Sequence, residues 1–349
     1  MNELFTSNNR RCALLACLSL LASCGEPPAG GPGAGIVPLK FSVEVAPVAP
    51  TKAPPISGTL FPSGRYAIGM WICDHEASPS LFTPAMTGYG NLEANVDVTA
   101  DGSNMRYDWT YKVGGVTSYN TLGVRRGNGV DIYAYHPHVP GATSLTEIPF
   151  VSGQTDWMVA TPVANVSPAI DQAETTVNLA FEHLMTCIQV NITVKYTTEI
   201  TLSKMTLHDT EEELYPGGKI NACTAPGPGS LVLDPATRTD RISIEPDAPL
   251  NHYVARSFYI IMPGVAWPGG AEGRFVLSFV YNGTVDGVEY FVLPKTIRNM
   301  GNTADVTIDK FETGKNYIYN LLLDNQVHLE SMEVSDTWPT TSTDIPLSL

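Results

Sequence analysis

The sequence predicts an all-β protein made of antiparallel β-sandwiches, and three observations point there. Short runs alternate apolar and polar residues, turn-forming residues separate them, and no long stretch carries a helical period. The chain's 30 glycines and 27 prolines suit many tight turns. Its 43% apolar content is enough to fill real cores.

The first run, Leu39-Lys40-Phe41-Ser42-Val43-Glu44-Val45, puts Leu39, Phe41, Val43 and Val45 on one face and three polar residues on the other. Further strands are predicted at Tyr66–Ile72, Arg106–Val113, Val130–His136, Thr176–Phe181 and Cys187–Tyr196. The second half adds Ile242–Ile244, His252–Ile261, Phe275–Tyr281, Tyr290–Leu293, Tyr317–Leu323 and Val327–Val334. Asp101-Gly102, Asn128-Gly129 and Asn282-Gly283 mark turns. The long run from Val177 to Lys195 is expected to link two sandwiches, with the boundary near residues 182–188, giving domains at 37–183 and 184–349.

The start of the chain reads differently. Arg10 and Arg11 precede a short apolar run from Cys12 to Ala22, too short to span a bilayer but suited to a signal-peptide core. It ends in Leu21-Ala22-Ser23-Cys24, small residues ahead of a cysteine. This predicts a lipoprotein signal at 1–23, cleavage before Cys24, and a lipid on the Cys24 thiol. The chain is then exported in a bacterium and held at a membrane surface through that lipid. Residues 24–36 are Gly/Pro-rich and read as a flexible tether.

Charge narrows the partners. There are 35 acidic and 20 basic residues, and cleavage before Cys24 leaves a net charge of −16. A nucleic-acid partner, which needs basic patches, is excluded. After loss of Cys12 and Cys17 with the signal, Cys73, Cys187 and Cys223 remain, without CxxC spacing. Buried free thiols are the reading adopted, with a Cys187–Cys223 bridge as the alternative.

No HExxH, GxSxG, P-loop or GxGxxG pattern occurs, so neither a catalytic residue nor a cofactor is assigned. His136-Pro137-His138 places two imidazoles near one another, and Cys73-Asp74-His75-Glu76 gathers polar groups. Each lacks an evident third ligand and is read as ordinary strand-end polarity, so no metal site is assigned. Asp97 and Asp101, beside Gly102, are read as a turn rather than a calcium loop. Tyr107, Trp109 and Tyr111 alternate along one face, which fits a sugar-stacking platform or a sandwich core. The core is the reading adopted.

Several segments, in order, resemble the fimbrillins, the pilus-forming lipoproteins of Bacteroidales. They are Phe61–Gly69, Asp131–His138, Asp156–Ala160, Leu179–Met185 (an F-x-H-x-M pattern), Phe311–Tyr319 (containing Gly-Lys-Asn-Tyr-Ile-Tyr) and Val334–Trp338. The resemblance implies two transthyretin-like Greek-key β-sandwich domains and export to the outer membrane as a surface-exposed lipoprotein. It also implies proteolytic removal of the first strand and growth of a type V fimbria by strand exchange between subunits. On that pattern Leu39, Phe41, Val43 and Val45 form the removable strand. Ile345, Leu347 and Leu349, which alternate, are candidates for a donor strand, the alternative being a tail folded on its own domain. Where the family often has Thr-Arg-Ala after the first strand, this chain has Thr51-Lys52-Ala53, so Lys52 and Arg65 are the candidate cleavage residues. The partners implied are other pilus subunits and, before processing, outer-membrane lipid. A lipid-anchored or tip adhesin for a host protein or glycan is the competing function.

Overall fold

The computed structural model describes residues 35–45, 64–75, 89–101, 104–113, 117–126, 129–168, 173–195, 200–267, 272–283, 286–297, 306–324, 326–336 and 338. Residues from Val37 onward form one compact unit, and the other unit, Met1–Ile36, is described only at its last two residues. Cys24, Lys52, Ile345, Leu347 and Leu349 lie outside the described residues.

The described residues are almost all strand. In chain order they are β1 (Ile36–Val45), β2 (Gly64–Asp74), β3 (Leu92–Asp101), β4 (Asn104–Val113), β5 (Thr117–Tyr119), β6 (Leu122–Arg125), β7 (Val130–His136), β8 (Ile148–Val151), β9 (Met158–Ala160), β10 (Val163–Val166), β11 (Thr175–His183) and β12 (Thr186–Val194). There follow β13 (Ile200–Asp209), β14 (Gly217–Ile220), β15 (Leu231–Val232), β16 (Arg241–Ile244), β17 (Ala248–Leu250), β18 (Arg256–Met262), β19 (Phe275–Gly283), β20 (Gly287–Val292), β21 (Thr296–Ile297), β22 (Val306–Thr307), β23 (Asn316–Leu323) and β24 (Val327–Ser335). Among the described residues the only helices are two single 3-10 turns, Pro228–Ser230 and Pro235–Thr237. No helix there is long and apolar enough to cross a membrane.

The largest sheet runs β5-β4-β3-β2-β7-β9-β11-β1-β6, with β10 beside β7. A second is ordered β18-β12-β23-β24, and a third β16-β13-β19-β20 with β17 beside β13. A small sheet, β15-β14-β8, joins segments far apart in sequence.

Three apolar cores explain why some strands alternate and others are apolar throughout. The first core takes Ile68, Met70 and Ile72 from β2, and Val130, Ile132 and Ala134 from β7. The opposite faces of the same strands send Trp71, Cys73, Tyr133 and Tyr135 into a middle core. The third core takes Ile188, Val190 and Ile192 from β12, and Phe258, Ile260 and Met262 from β18. Here too the other faces, with Cys187, Tyr259 and Ile261, turn to the middle core. A strand covered on both sides needs apolar residues at every position, which is why β2 and β18 read as unbroken runs. Gly69 permits the closest approach: a Cβ there would lie 2.1 Å from the Tyr135 ring.

Several expectations need correction. The sandwiches are not wholly antiparallel: β1 pairs with β11 in parallel, and so does β12 with β23. Partners more than a hundred residues apart have ample chain for the crossover that parallel pairing requires. The run Val177–Lys195, by contrast, divides as expected into two strands, β11 and β12, which lie in different sheets and are separated at Leu184–Met185. Asp97 and Asp101 are strand residues of β3, opposite Asp108 and Asn104, rather than parts of a turn. The strand expected from His252 starts at Arg256, because Tyr253 adopts φ 54° and the Val254 N–H bonds the Asn251 carbonyl.

Candidate functional site

β1 carries Leu39, Phe41 and Val43, expected above to belong to a removable strand, and its surroundings define the candidate site. It lies between β11 and β6, an interior place in its sheet. Along β11 the register runs from Leu39 opposite Thr175 to Val45 opposite Phe181. Strict alternation turns Leu39, Phe41 and Val43 into the first core, where they are 2%, 6% and 2% exposed. The other face is polar. Lys40 Nζ donates to Glu174 at 2.8 Å, Ser42 Oγ donates to Asn178 at 3.0 Å, and Asn178 donates to Glu44 at 2.8 Å. These exposed contacts fix register more than they add stability.

Across the core, Phe41 meets the aromatic stripe of β4, with ring centroids 5.8 Å from Trp109 and 6.1 Å from Tyr111. Trp109 and Tyr111 are themselves stacked at 5.9 Å. Tyr111 is buried, while Tyr107 and Trp109 are half-buried against the same core, so the stripe is a core feature as expected. Trp109 Nε1 and Tyr107 Oη are shielded from solvent yet have no hydrogen-bond partner. Burial, and then the Glu44 carboxylate, pushes the Tyr107 phenol above its ordinary value.

The far end of β11 meets the end of the described chain. His183 Nδ1 lies 2.9 Å from an Asp156 carboxylate oxygen, and its ring stacks on Trp338 at 4.1 Å and 5°. Trp338 is buried in the middle core and donates from Nε1 to the Gly314 carbonyl at 2.9 Å. Lys315 pairs with Asp336 beside it. His183 and Trp338 both stood in the sequence segments singled out above, but nothing in a linear pattern announces that two such segments stack.

Other candidates fall into place individually. Arg65 is the second residue of β2, in register with Asp97 of β3, its exposed side chain 3.6 Å from the Asp97 carboxylate. His136 is buried with Nδ1 2.9 Å from the Ala67 carbonyl, and burial holds its pKa down despite the Asp156 charge. His138 lies 3.9 Å from Glu93. Cys187 is buried and Cys223 half-buried, and they are not joined to each other. Burial raises both thiols, that of Cys223 to about 11. Cys73 is buried in the middle core.

A fimbrillin-like family model matches residues 75–337, about three-quarters of the 349-residue chain. The chain belongs to the fimbrillin-like family. No curated protein matches it. Among solved structures it is similar to a candidate cell adhesion protein from Bacteroides uniformis, at 14% identity and TM-score 0.49, covering 89% of this chain and 99% of that one. It is also similar to the tip fimbrial protein Mfa3 of Porphyromonas gingivalis with C-terminal truncation (11% identity, TM-score 0.41, 87% and 100% covered). A third is a fimbrial assembly protein from Parabacteroides distasonis (12% identity, TM-score 0.38, 86% and 98% covered). Membership of this fimbrillin-like family supports a pilus-subunit or adhesion role at the cell surface.

Proposed function

We propose that this fimbrillin-like chain is a structural pilus subunit, exported as an outer-membrane lipoprotein through Cys24 and assembled by strand exchange after β1 is cut away. The first and third cores are taken as two sandwich domains, 37–183 and 184–349, with the middle core packed between them. The observation that carries the reading is the setting of β1, whose inward side chains complete a core while its chain connection crosses the stretch 46–63. That stretch contains Lys52 and six residues that are proline or glycine. Lys52 is preferred to Arg65 as the cleavage residue, since the Arg65 backbone is engaged in a ladder.

Burying Leu39, Phe41 and Val43 contributes roughly 1.5–3 kcal/mol each. Their loss together approaches the net stability of a whole domain, about 5–15 kcal/mol. It also strips the facing edges of β11 and β6 of their ladder partners. A replacement strand restores both ladder and core, and that is the driving force for assembly. The tail with Ile345, Leu347 and Leu349 is the proposed donor.

Limited trypsin digestion followed by size-exclusion chromatography tests this, on wild type and on a chain truncated after Trp338. The expected result is loss of the β1 peptide with growth of oligomers in wild type alone. A wild-type subunit that loses β1 and stays monomeric at high concentration contradicts polymerisation. Oligomers that persist after truncation remove the tail as donor.

A further inference from the structure

The groove that β1 occupies has two ends, and one of them lies at the joint. β1 and β11 run in the same direction, and Val45 opposite Phe181 is their last pair. Two residues further along β11 is His183, on whose ring Trp338 is stacked. The chain beyond Trp338 is therefore rooted beside the Val45 end of the groove. In the sequence of that segment Thr341, Thr343, Ile345, Leu347 and Leu349 fall at alternate positions, the pattern that puts residues on one face when a chain pairs as a strand.

We infer that, once β1 has left, residues 339–349 of the same chain enter the vacated groove, so that a cut subunit caps itself in competition with its neighbours. This rests on the reading that β1 is removable.

The root fixes the direction. A segment entering at the Val45 end travels toward the Leu39 end, against β11. It thus pairs antiparallel where β1 pairs parallel, and antiparallel ladders are slightly more stable per residue. Reach is sufficient. Trp338 to Ile345 spans about 23 Å of extended chain, whereas His183 to Leu179, which pairs with Val43, spans about 13 Å. With Ile345 at the Val43 position, Leu347 falls at Phe41 and Leu349 at Leu39. Thr343 then takes the Val45 ladder position. Against this, Pro346 removes one ladder bond, and leucine leaves space where Phe41 met Trp109 and Tyr111. A tethered segment has an effective concentration of the order of millimolar, well above free subunits at micromolar levels. Self-capping therefore prevails in dilute protein, and exchange between chains requires crowding of subunits.

The test uses the full chain with a specific protease site inserted between Ala53 and Pro54, plus Thr176→Cys and Ser348→Cys, which face each other in this register. Oxidised glutathione accepts the two electrons. In the uncut chain Lys40 holds the ladder position opposite Thr176, so this chain is the folding control, and the bond should form in it far more slowly than after cutting. After cutting, the expected product is a disulfide between the two introduced thiols within one chain, in a particle of monomer mass, unchanged over about hundred-fold dilution. A bond between chains overturns self-capping and leaves strand exchange standing. Loss of β1 with neither bond also overturns self-capping. Retention of the β1 peptide by the cut protein overturns the removable-strand reading and this inference together. Ile345→Asp with Leu347→Asp, in the same background, should leave the cut chain binding a hydrophobic dye. A dye-dark monomer in that variant overturns the inference.

Discussion

Arg274 and Asp209 have side chains only 1% and 0% exposed, and each would be costly there without the other. The guanidinium grips the carboxylate with both forks, Nε to Oδ1 at 2.7 Å and Nη2 to Oδ2 at 2.8 Å, and reaches Glu213 at 2.9 Å. Its remaining arm donates to the Ala266 carbonyl, and the Phe275 ring lies 4.8 Å beneath it. Burial alone would raise the Asp209 carboxyl. The Arg274 bonds and the backbone N–H groups of Glu211 and Glu213 outweigh that and hold it below its ordinary value. A carboxylate depressed in the native state contributes fully above its unfolded pKa of about 3.9, and that contribution is lost as pH falls through the native value. Arg274→Met, which strands the carboxylate, should cost about 3–5 kcal/mol at neutral pH. Adding Asp209→Leu should recover most of it and reduce the loss of stability below about pH 4. Urea midpoints measure both, and a single variant costing under about 1 kcal/mol would mean the pair is not closed to water.

Among the strands, β1 makes the sharpest claim. Phe41→Ala should destabilise the uncut chain by about 3–5 kcal/mol, because Phe41 is buried in the first core against Trp109 and Tyr111 and its truncation leaves a cavity there. It should also speed release of the β1 peptide after cutting, which mass spectrometry of the retained fragment follows directly. β1 was legible because its alternation is unbroken, and β7 because its apolar run matched a strand in length. β3 was missed although Leu92, Ala94, Val96 and Val98 alternate, since Asp97 and Asp101 beside Gly102 suggested a turn. β13 hid for a different reason. Its register slips between Leu202 and Lys204, so buried Ile200 and Leu202 fall on even positions and buried Met205 and Leu207 on odd ones. A bulge of this kind erases the period that sequence reading depends on. Strands of two to four residues, such as β15 or β21, are too short to carry a period. Of the groove, the strand that fills it was legible and so was the aromatic stripe opposite. Their contact and the parallel pairing were not, since alternation does not encode strand direction.

At the scale of the whole molecule, the middle core binds the first and third together. Trp157 and Val159 enter it from the N-terminal part of the chain, Ile220, Tyr259 and Ile261 from the C-terminal part, and Trp338 comes back to it last. That return governs how the molecule bears tension. β24 is an edge strand antiparallel to β23, and Ser335 opposite Asn316 closes their ladder at the joint. A pull on the chain from this end would open the ladder like a zipper, a few bonds at a time. Trp338 stands ahead of the first of them. Its ring against His183 and its bond to Gly314 take the load and divide it between β11 and the loop before β23. In a single-molecule pull from the segment after Trp338, the wild type should therefore resist until the indole leaves its seat and only then unzip at low force. Trp338→Ala should unzip from the outset. For a protein held in moving fluid by that segment, the strength of the hold is set by one peg rather than by the length of the strand behind it.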